Sequence, residues 1–222
     1  GFFPEAVVNF LALLGWNDGT DKEIYSLEEL IQSFDLTRVN KSGAKFDPEK
    51  NKWFNHQVLV TKTNAELASY LKPVLEAKAI QADDSKIETI NSKIETIIGL
   101  VKDRANLTTE LFSLVDFFFV APTEYDGKAA KNWKEDTNSL MEQVSSVIDN
   151  VANFEAKEIE TTVKNWIQEN ELGMGKIMQP LRIAMVGEMK GPDLFEIIAL
   201  LGKEEAKKRL YAAIGNFSVS VK

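Results

Sequence analysis

The chain has no cysteine at all and only one histidine among its 222 residues. Disulfides and thiolate metal sites are therefore excluded, and any metal would have to rest on carboxylates, for which no calcium-loop spacing is present. The absence of cysteine is compatible with a reducing compartment. Proline is sparse, with six in the chain. No run of 18 or more apolar residues occurs, so no segment reads as a membrane span. No basic stretch followed by an apolar one opens the sequence, so it does not begin with a secretory signal. The densest apolar run, Leu111 to Val120, is short and interrupted by Asp116, and reads as a buried helix. Phosphate loops of the Gly-x-Gly-x-x-Gly or Walker type are missing; Gly173-Met174-Gly175 is a helix-breaking turn with only a faint likeness to one. No Gly-x-Ser-x-Gly elbow occurs. His56 stands alone beside Trp53, and a hydrogen-bonded structural histidine is the commoner reading of such a residue than a general base. Acidic pairs such as Glu28-Glu29 and Asp83-Asp84 fall on polar faces or turns. The residues by themselves make an autonomous enzyme improbable.

What is present is ordinary for a globular chain: 44% hydrophobic and 27% charged residues, enough for one large or two small domains. The net charge of −8 is the awkward feature, because a nucleic-acid binder draws most of its affinity from phosphate contacts. The charge is uneven, however. From Glu171 to Lys222 eight Lys/Arg face six Asp/Glu, net +2, and residues 1–170 carry the remaining −10.

Helical signals dominate. Pro4 suits a first helical turn, and an apolar-periodic run follows to Gly15. Ser26 with Glu29 three residues on forms a capping box opening a short helix through Phe34. Leu36 to Phe46 reads as loop, and Asp47-Pro48 opens another helix. Residues 85–98 write one heptad twice, placing Ile87, Ile90, Ile94, Ile97 and Val101 on one stripe. Ala121–Gly127 is the clearest linker. Beyond it helices are expected at about 128–149, 155–169, 175–186, 192–201 and 203–214, broken at Gly173, Gly187, Gly191-Pro192 and Gly202. No set of alternating runs between turn signals suggests a sheet. The tryptophans at 16, 53, 133 and 166 lie within or beside apolar helical patterns, so they are expected in the core.

Three segments in order carry a resemblance. The first is Gly1–Trp16, GFFPEAVVNFLALLGW. The second combines Phe34-Asp35-Leu36, Val39 through Asp47, and Lys52-Trp53-Phe54-Asn55. The third combines Met178-Gln179-Pro180-Leu181-Arg182, Gly191-Pro192, Leu194-Phe195-Glu196 and Leu200-Leu201-Gly202. Together they resemble bacterial-type glutamyl-tRNA synthetases over nearly the whole chain, with residues 61–175 matching only loosely. The resemblance implies an all-α fold, a multi-helix bundle or cage of the class I glutamyl-tRNA synthetase anticodon-binding type with two to three subdomains. It implies a stem-contact-like region at 1–62, a first anticodon-binding subdomain at 63–126 and a second at 127–222.

The family's Lys-Met-Ser-Lys-Ser element appears nowhere in this sequence, and its His-x-Gly-His element is expected before Gly1, whose position inside a motif suggests a cut. The resemblance therefore implies no cofactor in this chain, with ATP and Mg2+ bound in the missing catalytic domain, and no catalysis by the chain alone. The implied partner is glutamate tRNA, bound by a cytoplasmic monomer with no DNA or membrane partner. Arg104 matches an arginine that the family sets on the last anticodon base; the alternative is a solvated helix-end arginine beside Asp103. Gln179 and Arg182 match anticodon contacts, and Pro192 and Leu194 a wall for the first anticodon base, although Leu194 could equally be core. Lys164 and Lys190 are candidate phosphate contacts, although such residues are more often simply solvated, and Lys41, Ser42 and Lys45 form a polar loop that is a candidate contact for the tRNA backbone. The competing reading is an acidic helical scaffold for protein–protein interaction.

Overall fold

The computed structural model describes residues 1–41, 43–78, 93–127 and 131–219. Within them the chain is helical, with no strand; Trp16 and Val39 form an isolated antiparallel bridge. The all-α expectation holds. The described residues fall into two compact units, one holding residues 1–78 and 94–115, the other residue 93 and residues 116–219. The division lies within the Leu111–Val120 run. Only Leu111–Val115 is α-helix there, and Asp116–Phe118 tightens into a 3-10 turn.

The first unit contains α1 (Pro4–Gly15), α2 (Leu27–Ser33), α3 (Pro48–Thr61), α4 (Asn64–Lys78), α5 (Ile94–Val101) and α6 (Leu111–Val115). Proline at the first helical position of α1 and α3 fixes φ where no intrahelical donor is needed. The capping box at Ser26 is present in full, with Glu29 N donating to Ser26 Oγ and Ser26 N to Glu29 Oε2. Two buried asparagines tie segments that share no regular structure. Asn9 donates to the Glu23 carbonyl at 3.0 Å and accepts from Tyr25 N at 2.8 Å. Asn55 accepts from Phe3 N at 2.7 Å and donates to the Asn106 carbonyl at 2.5 Å. His56 Nδ1 lies 2.8 Å from the Ala105 carbonyl, which can only accept, so the ring serves as a structural donor. Ile94, Ile97 and Val101 of the duplicated heptad are buried in α5; Ile87 and Ile90 lie outside the described residues. Trp53 departs from expectation. It is 39% exposed, because α3 turns Phe54 inward and leaves its neighbour about 100° round the helix.

The second unit contains α7 (Thr137–Asp149), α8 (Ala156–Glu169), α9 (Met174–Val186), α10 (Leu194–Leu201) and α11 (Lys203–Val219). In α7 the buried positions Thr137, Leu140, Met141, Val144, Ser145 and Ile148 recur at helical spacing. In α8 Ile159, Val163 and Ile167 form the matching stripe. α7 begins at Thr137, where Thr137 Oγ1 accepts from Lys134 N; the expected start at 128 lies outside the described residues. α10 begins at 194 because the Asp193 carboxylate accepts from Phe195 N at 2.9 Å and Glu196 N at 3.1 Å, a side-chain cap that ends the preceding loop. Trp133, expected in the core, is half-buried and stacks on Phe217 with ring centroids 4.4 Å apart.

Gly187 ends α9 with φ +87°, a left-handed turn that costs a glycine nothing. Its amide donates to Ile183 O at 2.8 Å, and its carbonyl accepts from Asp126 N at 3.0 Å. A Cβ at this position would lie 2.9 Å from Pro122 Cβ and 3.1 Å from the Glu124 carbonyl. The linker read at 121–127 thus packs directly on the end of α9. Gly187→Ala is expected to destabilise the chain by about 1–3 kcal/mol in denaturant unfolding, combining backbone strain and overlap. Gly215→Ala, inside α11 with nothing within 4 Å of the new methyl, is expected to be neutral or stabilising by up to about 1 kcal/mol.

Candidate functional site

α9 runs unbroken through Pro180, so Gln179 and Arg182 lie three residues apart on one flank. Ile177, Leu181 and Ala184 point into the core, whereas Gln179 and Arg182 are half-buried at its edge. Arg182 reaches past the end of its own helix. Its Nη1 donates to the Pro192 carbonyl at 3.0 Å. Gly191, with φ +123°, makes this approach possible: a Cβ there would come within 3.4 Å of the same Nη1. The connection from α9 to α10 is consequently held at three points, by the Gly187 turn, by Arg182 and by the Asp193 cap. Between them Glu188, Met189 and Lys190 are exposed. Among the described residues Lys190 has no ion-pair partner.

Pro192 and Leu194 sit beneath this connection. Pro192 is buried and Leu194 is 1% exposed, so the Leu194 side chain is part of the core, one of the two readings open from sequence. What the connection shows to solvent at this point is backbone and Asp193.

One functional-looking residue was not singled out from the sequence. Arg209 contributes to the C-terminal positive excess, yet it is 2% exposed. Its Nη1 donates to the Met185 carbonyl at 2.7 Å and its Nε to Glu205 at 2.9 Å. It thereby satisfies a carbonyl in the last turn of α9, where intrahelical donors run out. Burial lowers the affinity of this guanidinium for its proton, and Glu205 opposes the shift. The Glu205–Arg209 spacing of four was a legible signal for an ion pair. Other cations of this unit are also engaged: Lys176 with Asp136, Lys207 with Asp149, and Lys164 with Glu160 one turn away in α8. Lys164 therefore meets its phosphate-contact expectation only if that exposed pair gives way, which costs little.

Arg104 belongs to the other unit. It closes the 3-10 turn Lys102–Arg104, where it is exposed. Lys41 and Lys45 are exposed in that unit as well, and Ser42 lies outside the described residues. Among the described residues no group of three or more His, Asp or Glu side chains is placed to hold a metal, and no helix is long and apolar enough to cross a membrane.

Comparison with known proteins places this arrangement. Residues 65–214 match a model of the anticodon binding domain, and residues 1–53 match a model of the catalytic domain of class I tRNA synthetases (E and Q). The chain belongs to the anticodon binding domain family. The relatives it resembles are glutamate–tRNA ligases. It is 55% identical over 214 residues to the glutamate–tRNA ligase of Flavobacterium johnsoniae, covering 96% of this chain and 41% of that protein. It is 46% identical over 215 residues to that of Porphyromonas gingivalis, with the same coverage. Among solved structures, a glutamate tRNA ligase from Elizabethkingia meningosepticum in complex with its amino acid superposes with a TM-score of 0.88 at 38% identity, over 98% of this chain and 42% of that one. A glutamate–tRNA synthetase from Elizabethkingia anophelis gives 0.84 at 38% identity, over 97% and 41%. The chain thus spans about two fifths of the length of the relatives it matches.

If Arg182 holds the connection in place, its loss is local. Arg182→Ala is expected to speed amide hydrogen exchange at Glu188–Gly191 severalfold while leaving α7 and α8 unchanged, and Arg182→Lys, which keeps one donor, to do so less. Equal exchange in all three proteins would remove the assignment.

Proposed function

We propose that this chain is the tRNA-gripping part of a glutamate–tRNA ligase, with the second unit taking the anticodon loop of glutamate tRNA. The observation that carries this reading is the α9 flank, where Gln179 and Arg182 stand together beside a connection pinned at both ends. Single-stranded RNA is read by splaying out its bases and meeting their edges with fixed donors and acceptors. Gln179 offers both an amide donor and an acceptor, and Arg182 a planar guanidinium whose position is fixed by its bond to the Pro192 carbonyl. Pro192 and Leu194 act from below: buried, they set the level of the backbone on which the first anticodon base rests. Lys190, exposed and without a carboxylate partner among the described residues, suits a phosphate; Lys164 is a second candidate. This concentrates the phosphate attraction locally in a chain whose net charge is −8.

Arg104 in the first unit serves the last anticodon base. A guanidinium offers donors only, so it satisfies the acceptor edge of a cytosine and penalises the donors of a guanine. Along the chain, residues 1–62 face the inner corner of the tRNA, with Lys41, Ser42 and Lys45 on its backbone, and residues 63–126 and 127–222 form the two anticodon-binding parts. In the intact ligase, glutamate would be attached to its tRNA at the expense of ATP with Mg2+. In this reading those ligands bind in the portion of the relatives that this chain does not span. The chain by itself then does not aminoacylate, and it works in the cytoplasm as a monomer.

Titration with glutamate tRNA over a range of salt is expected to show log K falling with log salt by about 0.7 per phosphate contact. A flat response would overturn the reading. Arg104→Gln is expected to narrow the preference for glutamate over glutamine tRNA by roughly tenfold, the scale of one base contact; unchanged selectivity would remove Arg104 from the site.

A further inference from the structure

Arg209 is a buried charge at a place where stability does not call for one. Ala206, Ala213 and Phe217 form the buried stripe of α11 into which it falls, at spacings of three and four. An unbranched apolar side chain would continue that stripe. A guanidinium taken out of water loses hydration that one neighbouring carboxylate restores only in part, and replacing a buried ion pair by uncharged side chains of similar size is often neutral or stabilising.

What the guanidinium adds is direction. Its Nη1 donates to the Met185 carbonyl at 2.7 Å while its Nε donates to Glu205 at 2.9 Å, so the planar group is held from two sides. Met185 stands in the last turn of α9, where the next intrahelical donor would be the amide of Met189. Gly187, with φ +87°, has already turned the chain away. Two further residues close the same helix end. Tyr125 packs on Phe217 with ring centroids 5.1 Å apart, and the Asp126 amide donates to the Gly187 carbonyl at 3.0 Å. The connection from α9 to α10 is only residues 187–193. Arg182 takes the Pro192 carbonyl near its far end. Two arginines thus each give an N–H to a backbone carbonyl, one on either side of the exposed Glu188, Met189 and Lys190.

We propose that Arg209 is a positioning residue for anticodon recognition: by holding the Met185 carbonyl it sets the direction in which the connection leaves α9, and so where Lys190 and the backbone over Pro192 meet the first anticodon base. This rests on the anticodon reading of the second unit and adds to it a buried residue that acts through the backbone. With the downstream half tied by Arg182 and the Asp193 cap, the direction of exit is the freedom left to the connection, and Arg209 removes it. Specificity is a difference of affinities. A displaced connection costs the correct base its contacts and a wrong base little, so discrimination falls before affinity as a whole does.

The test therefore reads a ratio. Dissociation constants of the 222-residue chain are measured for glutamate tRNA and for the same tRNA with its first anticodon base replaced. Partial unfolding weakens both by the same factor, which cancels in the ratio, so a residue that merely holds the fold leaves the ratio unmoved. Arg209→Met combined with Glu205→Gln, which leaves no charge of the pair without its partner, is expected to lower the ratio by about fivefold or more, the scale of an indirect coupling. Arg209→Lys keeps the charge but not the planar fork, and is expected to fall between the double variant and the wild type. A wild-type ratio in the double variant overturns the proposal, whatever happens to affinity. If circular dichroism shows that the double variant does not fold, Arg209→Lys decides by the same criterion. A wild-type chain that binds glutamate tRNA without preference for its first anticodon base overturns the anticodon reading itself, and this inference with it.

Discussion

The left-handed turn at Gly187 is the constraint on which the C-terminal unit depends. It stops α9, carries its carbonyl to the Asp126 amide and lets Pro122 close to a distance no side chain would tolerate. From that point the chain has seven residues in which to reverse and start α10. Arg182 holds the second half of this span through the Pro192 carbonyl, and Asp193 closes it with a helix cap. Arg209, buried under the end of α9, completes the set by taking the Met185 carbonyl. A short connection fixed at so many points loses little conformational entropy on meeting a ligand, the property a recognition surface needs.

The first unit is organised differently. Its irregular segments are long, and two buried asparagines replace the missing ladder of backbone bonds. Asn9 gathers the 23–25 segment onto α1, and Asn55 gathers Phe3 and Asn106 onto α3. Buried amides satisfied on both sides specify one arrangement of loops more sharply than apolar contact would. The result is a unit with a firm interior and an apolar outer face on α1 and α2.

Much of this was legible in the sequence, and for physical reasons. The helix starts at Pro4, Ser26 and Pro48 announce themselves through local chemistry, and the glycine breaks at 187 and 202 coincide with positive φ. Gln179 and Arg182 could be placed on one flank because helical spacing is fixed, once Pro180 is accommodated. The misses concern burial, which depends on partners distant in sequence. Trp53 looked like core because it is large and apolar, but its neighbour Phe54 occupies the inward direction. Arg209 was not singled out, although Glu205 one turn earlier was the hint that it could be buried as a pair. Leu194 was evenly balanced between wall and core until the Asp193 cap fixed the start of α10 and turned it inward. The division between the units falls within the apolar run 111–120 and not at the 121–127 linker, and nothing in a sequence says where a compact unit ends within such a run.

Recognition by this unit requires RNA bases to meet the α9 flank. The most direct measurement places a photo-crosslinking amino acid at position 179 and maps its products on glutamate tRNA. Crosslinks confined to the anticodon loop are predicted. Crosslinks to the acceptor arm, or none at a tRNA concentration that saturates binding, would contradict it.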